Sequence, residues 1–165
     1  MKVAIFFGSK SDKATMKKAA DVLKEFGVDF KAYIISAHRA GALLKQTVEQ
    51  VEKDGCEVII AGAGLAAALP GVIAGQTVLP VIGVPLECVS EKSNGLGGMD
   101  ALLSIVQMPP QIPVATVAIN SAKNAAYLAI QILAIKYPEL KQKLIEFRAK
   151  LASEAAQTGI DIDFD

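Results

Sequence analysis

The residues best suited to chemistry stand in three short stretches. The first is Ser36-Ala37-His38-Arg39, which holds the sole histidine of the chain. Imidazole is the side chain whose ordinary pKa lies nearest neutrality, so His38 is the natural proton shuttle. Arg39 beside it offers a planar fork suited to phosphate or carboxylate. The second stretch is Gly8-Ser9-Lys10-Ser11-Asp12, a small loop of hydroxyls and one carboxylate. Its backbone N–H groups and hydroxyls suit an anion at a helix N-terminus. The third is Ala61-Gly62-Ala63-Gly64, continued by Leu65 to Gly71, where nearly every side chain is tiny. A ligand can approach such a backbone closely. Each stretch also has a plainer reading, as a capping histidine with a surface arginine, an ordinary N-cap, or tight helix–sheet packing. None matches GxGxxG or a Walker loop.

The elements that must position these stretches follow from hydrophobic patterning. Lys2 to Phe7 is an apolar β-prone run, followed by a helix with Met16, Ala19, Ala20, Leu23 and Phe26 on one face. Ser11 or Asp12 is placed to cap that helix, and Gly27 to end it. Phe30 to Ile35 reads as the second strand, Gly41 to Asp54 as a helix, and Glu57 to Ala61 as the third strand. Val78 to Val84 reads as the fourth strand, Pro85 to Gly98 as a long loop of the lid or interface kind, and Met99 to Met108 as a short helix. Val114 to Ile119 reads as the fifth strand. Alternating strands and helices imply an α/β domain with a parallel sheet and helices on both faces. In that architecture the three stretches follow the carboxyl ends of successive strands, where ligands bind.

Asn120-Ser121 should cap a helix running to Ile135 that is apolar almost all round. A helix apolar on every side is buried on every side, which is hard to arrange in a small monomer and points to a second subunit. Pro138 opens a final helix, over about 138–157, with Leu140, Leu144, Phe147 and Leu151 as its stripe. It is expected to pack on a neighbouring subunit as well as its own.

At 165 residues the chain is most simply one domain. Seventeen basic and seventeen acidic residues cancel, so no global field draws it to nucleic acid or to an anionic membrane. Two well-separated cysteines and one histidine make no metal-ligand cluster, and no metal is expected. The cysteine usage fits a reducing, cytoplasmic setting. The amino-terminal apolar run is too short, and too soon broken by Gly8, for a signal peptide. Val58 to Leu86 carries no charge, but its glycines and prolines divide it into strand, loop, short helix and strand.

Taken together, GSKSD, SAHR, AGAG…LPG, SIVQMP and IPVATVAIN occur in order and at the expected element ends. Over nearly its whole length the chain resembles the carboxyaminoimidazole ribonucleotide mutases of purine biosynthesis. The resemblance implies a three-layer α/β/α sandwich with a flavodoxin-like central parallel sheet and a C-terminal helix, assembled as an octamer with sites at subunit interfaces. It implies a ribonucleotide substrate and no cofactor. The implied reaction moves a carboxylate from an exocyclic nitrogen to a ring carbon through trapped carbon dioxide. The family's proton-shuttling histidine matches His38. Its phosphate- and ribose-holding residues match Ser9, Asp12 and Arg39, and Gly8, Ser11, Ser36, Ala63 and Gly64 are expected to line the same pocket.

The departures from the family pattern bear on function. Leu65 replaces a glycine and Ala68 a second histidine. Ala40-Gly41 replaces Thr-Pro, Gln111 stands where glycine is common, and the loop 86–99 is longer than usual. They leave open a paralogue that carboxylates or decarboxylates a related nucleotide, and a nucleotide-binding homologue without catalysis. Arg39 and the AGAG start match the mutase branch rather than the sister branch that carboxylates the aminoimidazole directly.

Overall fold

The structure is a computed structural model that describes residues 2–88 and 95–158, the side chain of Thr158 excepted. Its elements run β1 (Val3–Phe7), α1 (Lys13–Glu25), β2 (Phe30–Ile34), α2 (Gly41–Lys53), β3 (Val58–Gly64), α3 (Leu69–Ala74), β4 (Val81–Leu86), α4 (Met99–Val106), β5 (Ala115–Thr116), α5 (Ala122–Leu133) and α6 (Pro138–Thr158). The five strands form one parallel sheet in the order β2-β1-β3-β4-β5.

That order follows from crossover handedness. The chain steps from β1 outward to β2, then doubles back past β1 and continues one way through β3, β4 and β5. With right-handed crossovers, the reversal puts α1 on one face and α2, α3 and α4 on the other. The buried clusters divide in that way. Val3, Ile5 and Phe7 of β1, with Val58 and Ile60 of β3, pack under α1 and α5. Ala4 and Phe6, with Ile59 and Ala61, pack under α2, α3 and α4. β1 and β4 are buried at every position, as strands covered on both faces must be.

Several boundaries differ from the sequence reading. β3 runs on to Gly64 instead of stopping at Ala61, because Gly62, Ala63 and Gly64 pair with Val84, Pro85 and Leu86 of β4. Glycine and alanine look like loop by composition, yet close packing there leaves no room for more. A β-carbon on Gly64 would lie 3.0 Å from the Leu86 carbonyl oxygen. β4 is shifted to Val81–Leu86 and includes Pro85. A proline is tolerated here because its carbonyl faces the Asn120 N–H, on the side where β5 has already ended at Thr116. β5 keeps only Ala115 and Thr116 of the expected Val114–Ile119. Residues 89–94 of the long β4–α4 connection, and with them the expected lid or interface role, lie outside the described residues.

The all-round apolar helix finds most of its partners within the chain. Ala122, Ala125, Ala126, Ala129, Ile130 and Leu133 of α5 are buried against α1 and the sheet. Leu140 is buried, and Leu144 and Phe147 pack on the same core. Phe147 stacks on Tyr127 at 5.2 Å and meets Phe26 edge-on at 5.6 Å. The stripe of α6 therefore covers its own subunit over its first half, while Leu151 is left exposed.

At the amino-terminal edge of the sheet, opposite the three candidate site stretches, one cluster ties β1 to the α5–α6 joint. Glu57 Oε1 accepts from Lys2 Nζ at 2.7 Å and from the Tyr137 hydroxyl at 2.6 Å, and Oε2 accepts from Lys136 Nζ at 3.0 Å. Lys2 also lies 4.5 Å from the Tyr137 ring centroid. Burial alone would push the Glu57 carboxyl up, but the bonds from Lys2, Tyr137 and Lys136 outweigh it and hold its pKa near about 2. A depressed carboxylate contributes stability that is present above its unfolded pKa of about 4.3 and is lost as pH falls toward 2. Glu57→Gln should therefore lower the melting temperature at pH 7 and narrow its gap from the parent as pH falls from 5 to 2. Thermal melts across that range measure the effect, and a gap independent of pH would exclude it.

Candidate active site

The sheet reverses direction between β1 and β3, and the crevice outside the carboxyl ends of these strands is where such folds bind ligands. There the structure places a cleft of about 300 Å³ lined by Gly8, Ser9, Ser11 and Asp12 after β1, and by Ser36, Ala37, His38 and Arg39 after β2. Ala63 and Gly64 at the end of β3, Leu65 to Leu69 beyond it, and Cys88 after β4 complete it. Every residue that the sequence singled out for a site thus falls on one concavity.

The loop after β1 is locked by its own hydrogen bonds. Ser9, in extended conformation, caps a single 3₁₀ turn at Lys10–Asp12 that leads into α1. Its Oγ accepts from Ser11 N at 3.3 Å, while its own N–H donates to Asp12 Oδ2 at 3.0 Å. Ser9 thus caps the 3₁₀ turn, while Asp12 stands at the N-cap position of α1, one of the two expected there; its side chain makes no cap bond to α1 and instead closes the box back onto Ser9. Ser11 Oγ lies 2.9 Å from Ser9 Oγ and donates to Asp12 Oδ1 at 3.2 Å. Asp12 retains unused lone pairs after these bonds, so it can accept from a ligand's hydroxyls. Burial raises its pKa above the ordinary carboxylate value, with the bonds from Ser11 and Ser9 opposing the rise. Ionised Asp12 is therefore disfavoured by the fold: its contribution to stability is full at low pH and falls as pH rises through the raised pKa. A carboxylate held in this way suits a ligand that supplies donors.

β2 ends at Ile34, and the chain turns at once through residues 37–39. Ala40 N donates to the Ser36 carbonyl at 2.9 Å, which closes the turn and sets His38 and Arg39 side by side at the rim. Both are exposed. Arg39 Nε donates to Ser36 Oγ at 3.3 Å, and among the described residues the two terminal guanidinium nitrogens are left for a ligand.

The third wall is apolar. β3 delivers Ala63 and Gly64, and Leu65 then takes φ 55°, the left-handed conformation that favours glycine. Gln111, the other departure at a family glycine, also has a positive φ, 76°. At both places the backbone keeps the conformation for which glycine is the easy residue, at about 1–2 kcal/mol for a larger one. Ala67 N donates to the Leu65 carbonyl at 2.8 Å, and α3 begins at Leu69 with Pro70 in its first turn. Cys88 was singled out by no motif; its sequence signal is its place two residues beyond the end of β4, equivalent to the start of the other site loops.

A larger groove of about 660 Å³ runs between α5 and α6, lined by Ala134, Ile135, Leu144 and Ile145 with Lys141 and Arg148. It has no histidine in its lining, whereas the smaller cleft has His38. Among the described residues no set of three His, Cys, Asp or Glu side chains could hold a metal ion, and no helix is long and apolar enough to cross a membrane.

A parallel sheet with a cleft at its switch point, polar on the β1–β2 side and apolar on the β3–β4 side, defines an α/β protein whose cleft suits a small ligand of the same divided character. The chain belongs to the AIR carboxylase family, whose model matches residues 2–154. It is 58% identical over 147 residues to the N5-carboxyaminoimidazole ribonucleotide mutase of Pyrococcus abyssi, covering 89% of this chain and 82% of the relative. It is 51% identical to the enzyme of the same name from Saccharolobus solfataricus, over 97% of this chain and 98% of the relative. Among solved structures, Treponema denticola PurE superposes with a TM-score of 0.78 at 28% identity, covering 96% of this chain and 98% of that one.

Proposed function

We propose that this protein is an N5-carboxyaminoimidazole ribonucleotide mutase of purine biosynthesis. The observation that carries the reading is the convergence of Ser9, Asp12, His38, Arg39 and the Ala63–Ala68 loop on one cleft. Identity above 50% to relatives that bear this activity as their name supports it.

In this reading Arg39 and the Ser9–Ser11 hydroxyls hold the phosphate, and Asp12 accepts from the ribose. The bond between the exocyclic nitrogen and the carboxylate carbon breaks, and the same carbon bonds to the ring carbon. The proton displaced from the ring carbon is carried by His38 and balances the nitrogen's loss of its carboxylate. Substrate and product are isomers, so the atoms balance with no other reagent. Carbon dioxide freed between the two steps is small and apolar, and walls of glycine, alanine and leucine suit its retention away from water.

The related-carboxylase alternative differs in the source of the carboxylate. Substrate labelled with carbon-13 in its carboxylate, supplied with an excess of unlabelled carbon dioxide, should give product that keeps the label. Unlabelled product would assign the protein to direct carboxylation instead.

We also read the protein as a cytoplasmic homo-oligomer, an octamer by family resemblance. Ile135 is 88% exposed, and Ile145, Leu151, Leu103, Val106 and Met99 are each about half exposed. Apolar surface of this extent on helices favours association with further copies. Light scattering at micromolar concentration should give a mass of several chains, and a monomer would contradict the assembly.

A further inference from the structure

We propose that Leu65 is a specificity-determining residue of this cleft, the apolar wall on which the heteroaromatic ring of the ribonucleotide rests. The proposal depends on the mutase reading and adds to it a residue that faces the ring rather than the phosphoribosyl group.

Three observations support it. Leu65 holds φ 55° without a polar side chain that could bond its own backbone, so the surrounding structure imposes the conformation. The leucine is not there to fill the core, because 42% of its surface is exposed and it lines the cleft. Strain kept by an exposed apolar residue at a binding cleft is a mark of function rather than of packing.

The second observation is where the side chain goes. A β-carbon placed on Gly95 would lie 3.4 Å from Leu65 Cδ2 and 3.6 Å from Cys88 Cβ. The isobutyl group therefore extends from the β3 end toward Gly95 on the β4–α4 connection, and it brings carbon atoms to that side of the cleft.

The third is the division of the cleft. Ser9, Ser11, Asp12, Ser36 and Arg39 all stand after β1 and β2, whereas Ala63 stands at the end of β3 and Leu65, Ala67 and Ala68 just beyond it. An aminoimidazole ribonucleotide is divided in the same way, with its charge and hydroxyls on the phosphoribosyl group and its flat face on the ring. Matching the halves sets the ring against Leu65.

The test compares two ligands on three proteins. Calorimetry would measure aminoimidazole ribonucleotide and ribose 5-phosphate binding to the parent, to Leu65→Gly and to Leu65→Ala, alongside thermal melts. Both variants should lose about tenfold in affinity for the aminoimidazole ribonucleotide, the share of a lost aliphatic contact, and nothing for ribose 5-phosphate. Leu65→Gly should melt no lower than the parent, since glycine adopts the left-handed conformation without cost, whereas Leu65→Ala keeps the strain. Unchanged affinity for the ring-bearing ligand would overturn the proposal and leave the mutase reading standing. An equal loss for both ligands, with a lower melt in Leu65→Gly, would make Leu65 a packing residue and overturn it too. A parent that binds the two ligands equally would overturn the mutase reading together with the proposal.

Discussion

His38→Asn is expected to lower turnover at least about a hundredfold while leaving ribonucleotide affinity close to that of the parent. Asparagine keeps much of the size and polarity of histidine but cannot exchange a proton near neutral pH. No second histidine exists in the sequence to take its place. Among the described residues the carboxylate lining the cleft is that of Asp12, and it already accepts from Ser9 N and Ser11 Oγ. Because the His38 side chain stands exposed on a turn rather than in the core, its replacement should not disturb folding. Steady-state rates and ligand titration on the same preparation separate the two effects. A variant with near-parental turnover would exclude His38 as the proton carrier, and one that no longer binds would make it a binding residue.

Arg39→Ala should show the opposite division. The guanidinium gives a charge-assisted and potentially bidentate contact to phosphate, worth about 1.5–3 kcal/mol. Its loss should weaken ribonucleotide binding by one to two orders of magnitude, with a smaller effect on the rate at saturation. Lysine at this position should restore only part of the affinity, because a point charge cannot reproduce the fork. Retention of parental affinity in Arg39→Ala would move the phosphate away from the β2 turn. Raising the ionic strength should weaken binding to the parent more than to the variant, since the lost contact is between opposite charges.

Much of the architecture was legible in the sequence because it rests on periodicity. The β1 run, the helical stripes of Met16–Leu23 and Leu44–Val51, and the punctuation by Gly27 all express local rules that the folded chain obeys. The site was legible for a related reason. A parallel sheet brings the carboxyl ends of its strands to one edge, so motifs that follow strands must converge there even when far apart in sequence.

What escaped the sequence is what depends on partners rather than on pattern. The extension of β3 through Gly62, Ala63 and Gly64 is decided by pairing with β4, and nothing in three tiny side chains signals it. The shortening of β5 to Ala115 and Thr116 is likewise set by the register with Ile82 and Gly83. Burial of α5 by its own sheet, by α1 and by α6 answers much of the apolar surface that periodicity alone assigned to another subunit. The 3₁₀ turn that Ser9 caps ahead of α1 also escaped, because such a turn has no hydrophobic period of its own. Leu65 and Gln111 are instructive in the other direction. Their departure from glycine was visible in the sequence, while the positive φ that gives the departure its physical meaning was visible only in the fold.

ATP-independent isomerisation is the reaction on which the proposed function stands. Purified protein mixed with N5-carboxyaminoimidazole ribonucleotide, without ATP or added bicarbonate, should convert it to the ring-carboxylated isomer, and His38→Asn run in parallel should not. If the parent binds the ribonucleotide but forms none of that isomer, the cleft that gathers His38, Arg39, Ser9 and Asp12 serves another reaction, and the mutase reading is wrong.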